Sequence, residues 1–228
     1  MNGGVDWFST FANQPAIAYA APNPFFQGLS IDPTDHLHIV ASIHDNCAHE
    51  FAPICLMETF NGGTTWNAIK GPPQLQGWAE RASPIVLNAK ELVFRTWLDG
   101  MYYTNDGGKN WSSLGIDGYS VPYTAKDGYT YLPGIRGMNR TKNWRDWTPA
   151  HGAPSGDVIA GDGVRIFTAW DDNNPKMQVT FENNTSAWTA FPLPTNNPKR
   201  IASMTYDAGH SLLLVGATGD GLWRMVTK

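Results

Sequence analysis

Positive charge, long apolar runs and cysteine are all scarce in this chain of 228 residues, and each scarcity excludes something. Sixteen Lys and Arg stand against twenty Asp and Glu, for a net charge of −4, and the basic residues are scattered singly. Nothing forms the basic face that neutralises phosphates, so neither nucleic acid nor an anionic membrane surface is expected as a partner. No apolar run approaches the ~20 residues that span a bilayer. Met1-Asn2-Gly3-Gly4 does not open a signal peptide, which leaves a mature secreted protein without its leader or, alternatively, a cytoplasmic one. Asn-x-Ser/Thr sequons, among them those at Asn110, Asn139 and Asn183, favour the secreted reading. Serine nucleophile elbows, phosphate-binding glycine loops and dinucleotide fingerprints are missing, so no cofactor is expected.

Against these gaps stand ten Trp, 23 Gly and 16 Pro, with 42% hydrophobic and only 16% charged residues. Disorder needs the opposite balance, so the composition describes a globular, turn-rich chain. At this length a single domain over residues 1–228 would bury roughly 70% of its unfolded surface.

Self-comparison finds one pattern five times: apolar strand, tight polar turn, apolar strand, loop, third strand, Gly/Asn turn, Trp. The first copy runs from Leu29-Ser30-Ile31 through the turn Asp32-Pro33-Thr34-Asp35 to Asn61-Gly62-Gly63-Thr64-Thr65-Trp66. The second begins at Pro84 and ends Asn105-Asp106-Gly107-Gly108-Lys109-Asn110-Trp111; the third runs from Tyr123 to Trp144 or Trp147, and the fourth from Val158 to Trp188. The fifth, from Met204 to Thr227, lacks its final turn and Trp. Asn2-Gly3-Gly4-Val5-Asp6-Trp7 has the missing spacing, which predicts an all-β five-bladed propeller whose N-terminal segment completes the last four-stranded blade and hides both sheet edges. A β-sandwich would share the short strands and regular turns but not this complementarity between the two ends of the chain.

The closing turns, Thr59 to Trp66 and above all Thr104 to Trp111, resemble the Asp box, or BNR repeat, Ser/Thr-x-Asp-x-Gly-x-Thr-Trp. Glycine there permits positive φ, the acid or amide side chain binds turn N–H groups, and Trp packs between sheets. The Asp-box superfamily includes sialidases, sortilin-type propellers and xyloglucan-active hydrolases. In it these boxes are structural, so the resemblance implies a propeller fold and leaves activity open.

In such propellers the loops between second and third strands open on one face, opposite the box turns. Candidates there are His44 and Asp45, Trp97 and Asp99, Arg136, Trp170 with Asp171 and Asp172, and Asp220; the loops entering the blades add Phe25, Phe26, Trp78, Glu80, Arg81, Tyr119, Asp157 and Arg200. Aromatic rings beside carboxylates suit carbohydrate, whose C–H face stacks on a ring while carboxylates and guanidinium forks hold its hydroxyls. Paired carboxylates are also what glycoside hydrolysis needs. Asp99, Asp171, Asp172, His44 and Asp45 are therefore the candidate acid/base groups. Trp78, Arg81, Trp97, Tyr119, Arg136, Trp170, Arg200 and Phe26 are the candidate binding groups. Turn-forming Asp and plugging Trp give a plain structural alternative for each. Arg81, Arg136 and Arg200 resemble the arginine triad of sialidases, whose Tyr nucleophile, Glu and Asp do not align with this sequence.

Cys47 and Cys55 flank the one long insertion and are expected to form a disulfide over the loop face. His36, His38, His44 and His49 lie close by, but no pair has zinc-ligand spacing, so no metal is expected. The five loop sets differ from one another, which favours one asymmetric site. The leading expectation is a glycan-active hydrolase or lyase. Alternatives are a lectin-like module that binds carbohydrate without chemistry, and a cyclase-type enzyme whose small-molecule pocket would be lined by Trp78, Trp97, Trp170, Phe25, Phe26 and Met177.

Overall fold

A computed structural model describes residues 9–11, 14–21, 25–43, 47–48, 50–51, 54–73, 75, 82–96, 99–118, 120–170, 176–193 and 198–227. The chain divides into two compact units, Met1–Gly115 and Ile116–Lys228. Among the described residues all the sheets are antiparallel, and each is a meander with sequential strands side by side.

The first unit holds a short helix, α1 (Pro15–Ala20), and two four-stranded sheets. One is β1 (Phe26–Ile31), β2 (Ile39–Ile43), β3 (Cys55–Thr59) and β4 (Asn67–Lys70); the other is β5 (Ser83–Val86), β6 (Leu92–Arg95), β7 (Met101–Thr104) and β8 (Ser112–Ser113). Burial peaks at the inner strands of each meander. β3, β6 and β7 are buried at every residue, whereas β8 is exposed. Such continuous burial means sheets covered on both faces, which is why these strands read as unbroken apolar runs rather than alternating ones. Val40, Leu56, Val86, Leu92 and Phe94 form the layer shared by the two sheets. Its contact is tight enough to require glycine: a β-carbon on Gly28 would lie 2.9 Å from the Ser83 backbone. Polar pins cross the same boundary. Val86 N–H donates to the Ser30 hydroxyl (3.0 Å), the Ser42 hydroxyl to the Ala82 carbonyl (2.9 Å), and the Trp111 indole to the Lys70 carbonyl (3.1 Å).

The second unit holds three sheets. They are β9 (Tyr123–Thr124) to β12 (Thr148–Pro149) through β10 (Thr130–Gly134) and β11 (Gly137–Thr141); β13 (Val158–Gly161), β14 (Arg165–Ala169), β15 (Gln178–Phe181) and β16 (Asn184–Ala190); and β17 (Ile201–Asp207), β18 (Leu212–Ala217) and β19 (Gly221–Val226). The last sheet has three strands among the described residues. Its expected fourth strand, residues 2–7, lies outside them, so the expected closure does too. Tyr131, Met138, Ile159 and Ile166 pack the first two of these sheets together, and Phe167, Ile201, Leu213 and Val215 the last two.

Three of the turns that follow a third strand share one hydrogen-bonding scheme. The hydroxyl of Thr59, Thr104 or Thr141 accepts turn N–H groups, those of Gly63 (3.0 Å), Gly108 (3.1 Å) and Trp144 (3.0 Å). The next polar side chain accepts a later amide: Asn61 from Thr65, Asp106 from Asn110, Asn143 from Asp146, all at 2.8–2.9 Å. Hydrogen bonds from the backbone and side chain of Asn110 and from Thr104 hold the Asp106 carboxyl at about 2, well below its ordinary range. The third turn is one residue shorter and sets Trp144 at φ 63°, where the others use Gly62 and Gly107.

Cys47 and Cys55 are bonded, with their Cα atoms 5.8 Å apart. Reduction of this bridge is expected to lower the unfolding free energy by about 2–3 kcal/mol, the entropy of freeing so short a loop; urea titrations with and without reductant measure it. Thr104→Val keeps shape but strips the buried acceptor from the Gly108 amide, so it is expected to lower stability by about 1–3 kcal/mol. An unshifted urea midpoint would remove the hydroxyl from the account of the turn.

Candidate functional site

Register fixes which residues share an end of the first unit. Phe26 pairs with Ile43 and Ser83 with Arg95, and the Ser42 hydroxyl reaches the Ala82 carbonyl. The end of β2, the start of β5 and the end of β6 therefore lie together, with the connections that follow β2 and β6. The turn at 32–35 and the turns at 59–66 and 104–111 lie at the opposite end of their sheets. This is the division expected from the repeat.

At the loop end of the second sheet, Asp99 is half-buried in a knot of hydrogen bonds. Its N–H donates to the Thr96 hydroxyl (3.0 Å), that hydroxyl donates to the Gly100 carbonyl (3.0 Å), and the Tyr102 hydroxyl donates to the Asp99 carbonyl (2.9 Å). The first and third of these bonds use the Asp99 main chain, which fixes where the carboxylate starts. Burial first, and the Asp99 charge second, raise the Tyr102 phenol, which stays protonated and able to donate. Arg95, last residue of β6, is 8% exposed, and desolvation lowers its guanidinium to about 10, so it remains a cation at neutral pH. The sequence reading passed over Arg95 because it closes an apolar run. The usable signal was a charged residue ending a strand two positions before a predicted site loop.

The neighbouring connection, from β2 to β3, carries the disulfide. Phe26, at the start of β1, stacks on Phe11 with ring centroids 4.1 Å apart and faces the cluster of Ile17, Ala41 and Trp66. That commits much of its ring to packing.

In the second unit a β-carbon on Gly156 would meet the Thr168 hydroxyl and approach Pro133, so the ends of β10 and β14 share one end of the unit. Arg136 is exposed in the two-residue turn after β10, where its N–H points to the Asp117 carboxylate (3.3 Å). Asp157 is 8% exposed, and its N–H donates to the Ala169 carbonyl (2.8 Å). Trp170 follows β14 and is half-buried. Arg200, at φ 53°, is exposed ahead of β17, and its carbonyl accepts the Thr218 amide (3.0 Å). Met177 is 3% exposed within the core, while Phe25 of the first unit is largely exposed.

His44, Asp45, Trp78, Glu80, Arg81, Trp97, Tyr119, Asp171 and Asp172 lie outside the described residues. Among the described ones, no cluster of three or more His, Cys, Asp or Glu is arranged to hold a metal, and no helix is long and apolar enough to cross a membrane.

No family model matches the chain, and no curated protein matches it significantly in sequence. Solved structures do match in shape. A family 74 glycoside hydrolase from Niastella koreensis superposes with a TM-score of 0.64 at 12% identity, over 92% of this chain and 38% of its own. The family 74 xyloglucanase from Xanthomonas campestris gives 0.62 at 15% identity, over 88% and 37%. Ycf48, solved with D1 peptide bound, gives 0.57 at 17% identity, over 90% and 67%. This chain thus spans a little over a third of the two hydrolases. At such identities the likeness speaks for fold alone: the chain is an all-β protein of the β-propeller class, built from antiparallel meander sheets.

Proposed function

We propose that the five sheets are the blades of an Asp-box propeller that acts on carbohydrate as a glycoside hydrolase, or as a lyase. In this reading Asp99 is one acid/base group and its counterpart lies among Asp171, Asp172, His44 and Asp45. The observation that carries the reading is the main-chain anchoring of Asp99 at the loop end of its sheet, beside a protonated Tyr102 and near the end of β6 where Arg95 sits. A carboxylate held this way is positioned without having its oxygens consumed, as a proton-transfer group requires. The candidate sugar-binding groups are Trp78, Arg81 and Trp97 in the first unit and Tyr119, Arg136, Trp170 and Arg200 in the second. The two family 74 glycoside hydrolases among the structural matches support the substrate class.

Release of reducing sugar from xyloglucan and other β-glucans tests this directly. Asp99→Asn is expected to lower turnover at least about a hundredfold while moving the melting temperature by no more than about 1 °C, since a partly solvated loop carboxylate contributes little to stability. Binding to a glycan array without hydrolysis would support the lectin-like alternative. A small-molecule cyclase would do neither.

The disulfide supports a secreted protein, since such bonds persist in oxidising compartments. If the chain passes through a glycosylating secretory pathway, the fold accommodates a glycan best at Asn183, which is exposed in the turn between β15 and β16. Asn139 is half-buried within β11, paired with Pro149, and the Asn110 side chain is bonded to the Asp106 carboxylate (2.7 Å). Peptide mapping after enzymatic deglycosylation of material secreted by eukaryotic cells is expected to find conversion to Asp at Asn183. A glycan at Asn139 instead would contradict the described register of β11.

A further inference from the structure

His38 is wholly buried, and each of its ring nitrogens faces a carboxylate. Nδ1 is 2.9 Å from Asp32 Oδ2 and Nε2 is 3.0 Å from Glu58 Oε1. The Phe60 ring stacks on the imidazole with 4.3 Å between centroids and 8° between planes, covering one face of it. Asp32 begins the turn between β1 and β2, His38 closes that turn, and Glu58 is on β3 immediately before Thr59, whose hydroxyl organises the next turn. The three side chains therefore link two turns at the end of the first sheet away from Asp99.

We propose that Asp32, His38 and Glu58 form a proton-operated clamp that joins these two turns and stays closed only while a proton bridges His38 and Glu58. The reason is donor counting. A neutral imidazole has one N–H, and an ionised carboxylate can only accept. With both carboxylates ionised, His38 must be doubly protonated to make both contacts. With His38 neutral and donating to Asp32, Glu58 must be protonated to donate to Nε2. Either state holds one proton more than the set of Asp32 carboxylate, neutral His38 and Glu58 carboxylate. Loss of that proton leaves the Nε2 lone pair against an anionic oxygen 3.0 Å away, too close for a water to separate them, and the contact opens.

The surroundings set the direction. Desolvation raises the Glu58 carboxyl more than its bond to His38 lowers it. Desolvation also pulls on Asp32, but hydrogen bonds from His38 and from the hydroxyl and amide of Thr34 together outweigh it and hold that carboxyl at about 2. His38 is the one titratable group acting on Glu58, and Asp32 is acted on by His38 and the uncharged Thr34; the His38 amide itself donates to the Asp35 carbonyl. No Lys or Arg among these partners replaces the lost proton. Glu58 is raised above its unfolded value, so its contribution to stability is complete below that value and disappears as pH rises through the folded one. Asp32 behaves oppositely: its contribution is present above about pH 4 and is lost as pH falls towards about 2. The clamp is tightest in mild acid and opens towards alkaline pH.

Urea unfolding followed from about pH 5 to about pH 8 tests the clamp in the full chain. Each proton released on opening can change the folding equilibrium by up to about tenfold per pH unit. The wild type is expected to weaken as pH rises, and Glu58→Gln, whose amide donates to Nε2 at any pH, to lose most of that slope. Equal slopes in the two proteins would overturn the proposal. Should Glu58→Gln not fold, nitrogen chemical shifts of His38 in the wild type at neutral pH decide: an Nε2 that carries a proton or accepts one from Glu58 supports the clamp, and a neutral ring whose Nε2 lone pair has no hydrogen-bond donor overturns it.

Discussion

Gly28 sits so close to Ser83 that a β-carbon there would lie 2.8 Å from the serine's own β-carbon, and Gly161 lies so close to the Tyr123 ring that a side chain would enter it. Both glycines stand on the first strand of a sheet, each against a residue on the first strand of a neighbouring sheet in the same unit. These two pairs of sheets thus meet backbone to side chain at their first strands and side chain to side chain farther out. The large residues follow from this: Leu56, Phe94, Tyr131 and Phe167, all essentially inaccessible, sit on second and third strands where the sheets have room for them. At close-packed density a layer built this way leaves little freedom in strand position, and the strand ends inherit that precision.

The two ends of the sheets use it differently. The turns at 59–66, 104–111 and 141–147 saturate their amides with local side-chain acceptors, and Trp111 bonds back to the carbonyl of Lys70 on the neighbouring sheet. Such turns are finished structures with few groups left for a ligand. At the other end of the first unit the side-chain carboxylate of Asp99 sits on a backbone that is already fixed, and a disulfide bridges the adjacent connection. Rigidity at one end and available chemistry at the other is what a site on a scaffold of strands requires.

Much of the fold was legible because its signals are local. Tight turns such as 32–35, 88–90, 126–128 and 162–163 separate apolar runs, and every one of them joins a first strand to a second. The division between loop end and turn end followed from the same repeat. What stayed hidden was long-range or against propensity. α1 spans six residues with Pro at its start, too short to announce itself by periodicity, and is held by Ile17, Ala20 and Ala21 packing near Trp66. Trp144 adopts a backbone conformation that its bulk disfavours, so the shortened third turn could not be told from a degenerate one. Glu58, the charged residue in the run Cys-Leu-Met-Glu-Thr, carries no local signal of its role, because its partner is 20 residues away.

A repeat preserves what neighbouring sheets need and releases what they do not, which bears on how many sites the scaffold carries. Thr59, Thr104 and Thr141 recur because each turn must satisfy the same amides. The residues after the second strands do not recur: the first sheet has a disulfide-bridged connection, the second the knot around Asp99, and the third a two-residue turn, Ile135-Arg136. Repeated ligand sites would impose a common chemistry on those positions, as the turns impose one on their threonines. Its absence tells against one ligand site repeated from sheet to sheet. Within the first unit a buried cation in Arg95 and a main chain fixed at Asp99 belong to the second sheet, while the first sheet offers a disulfide in their place.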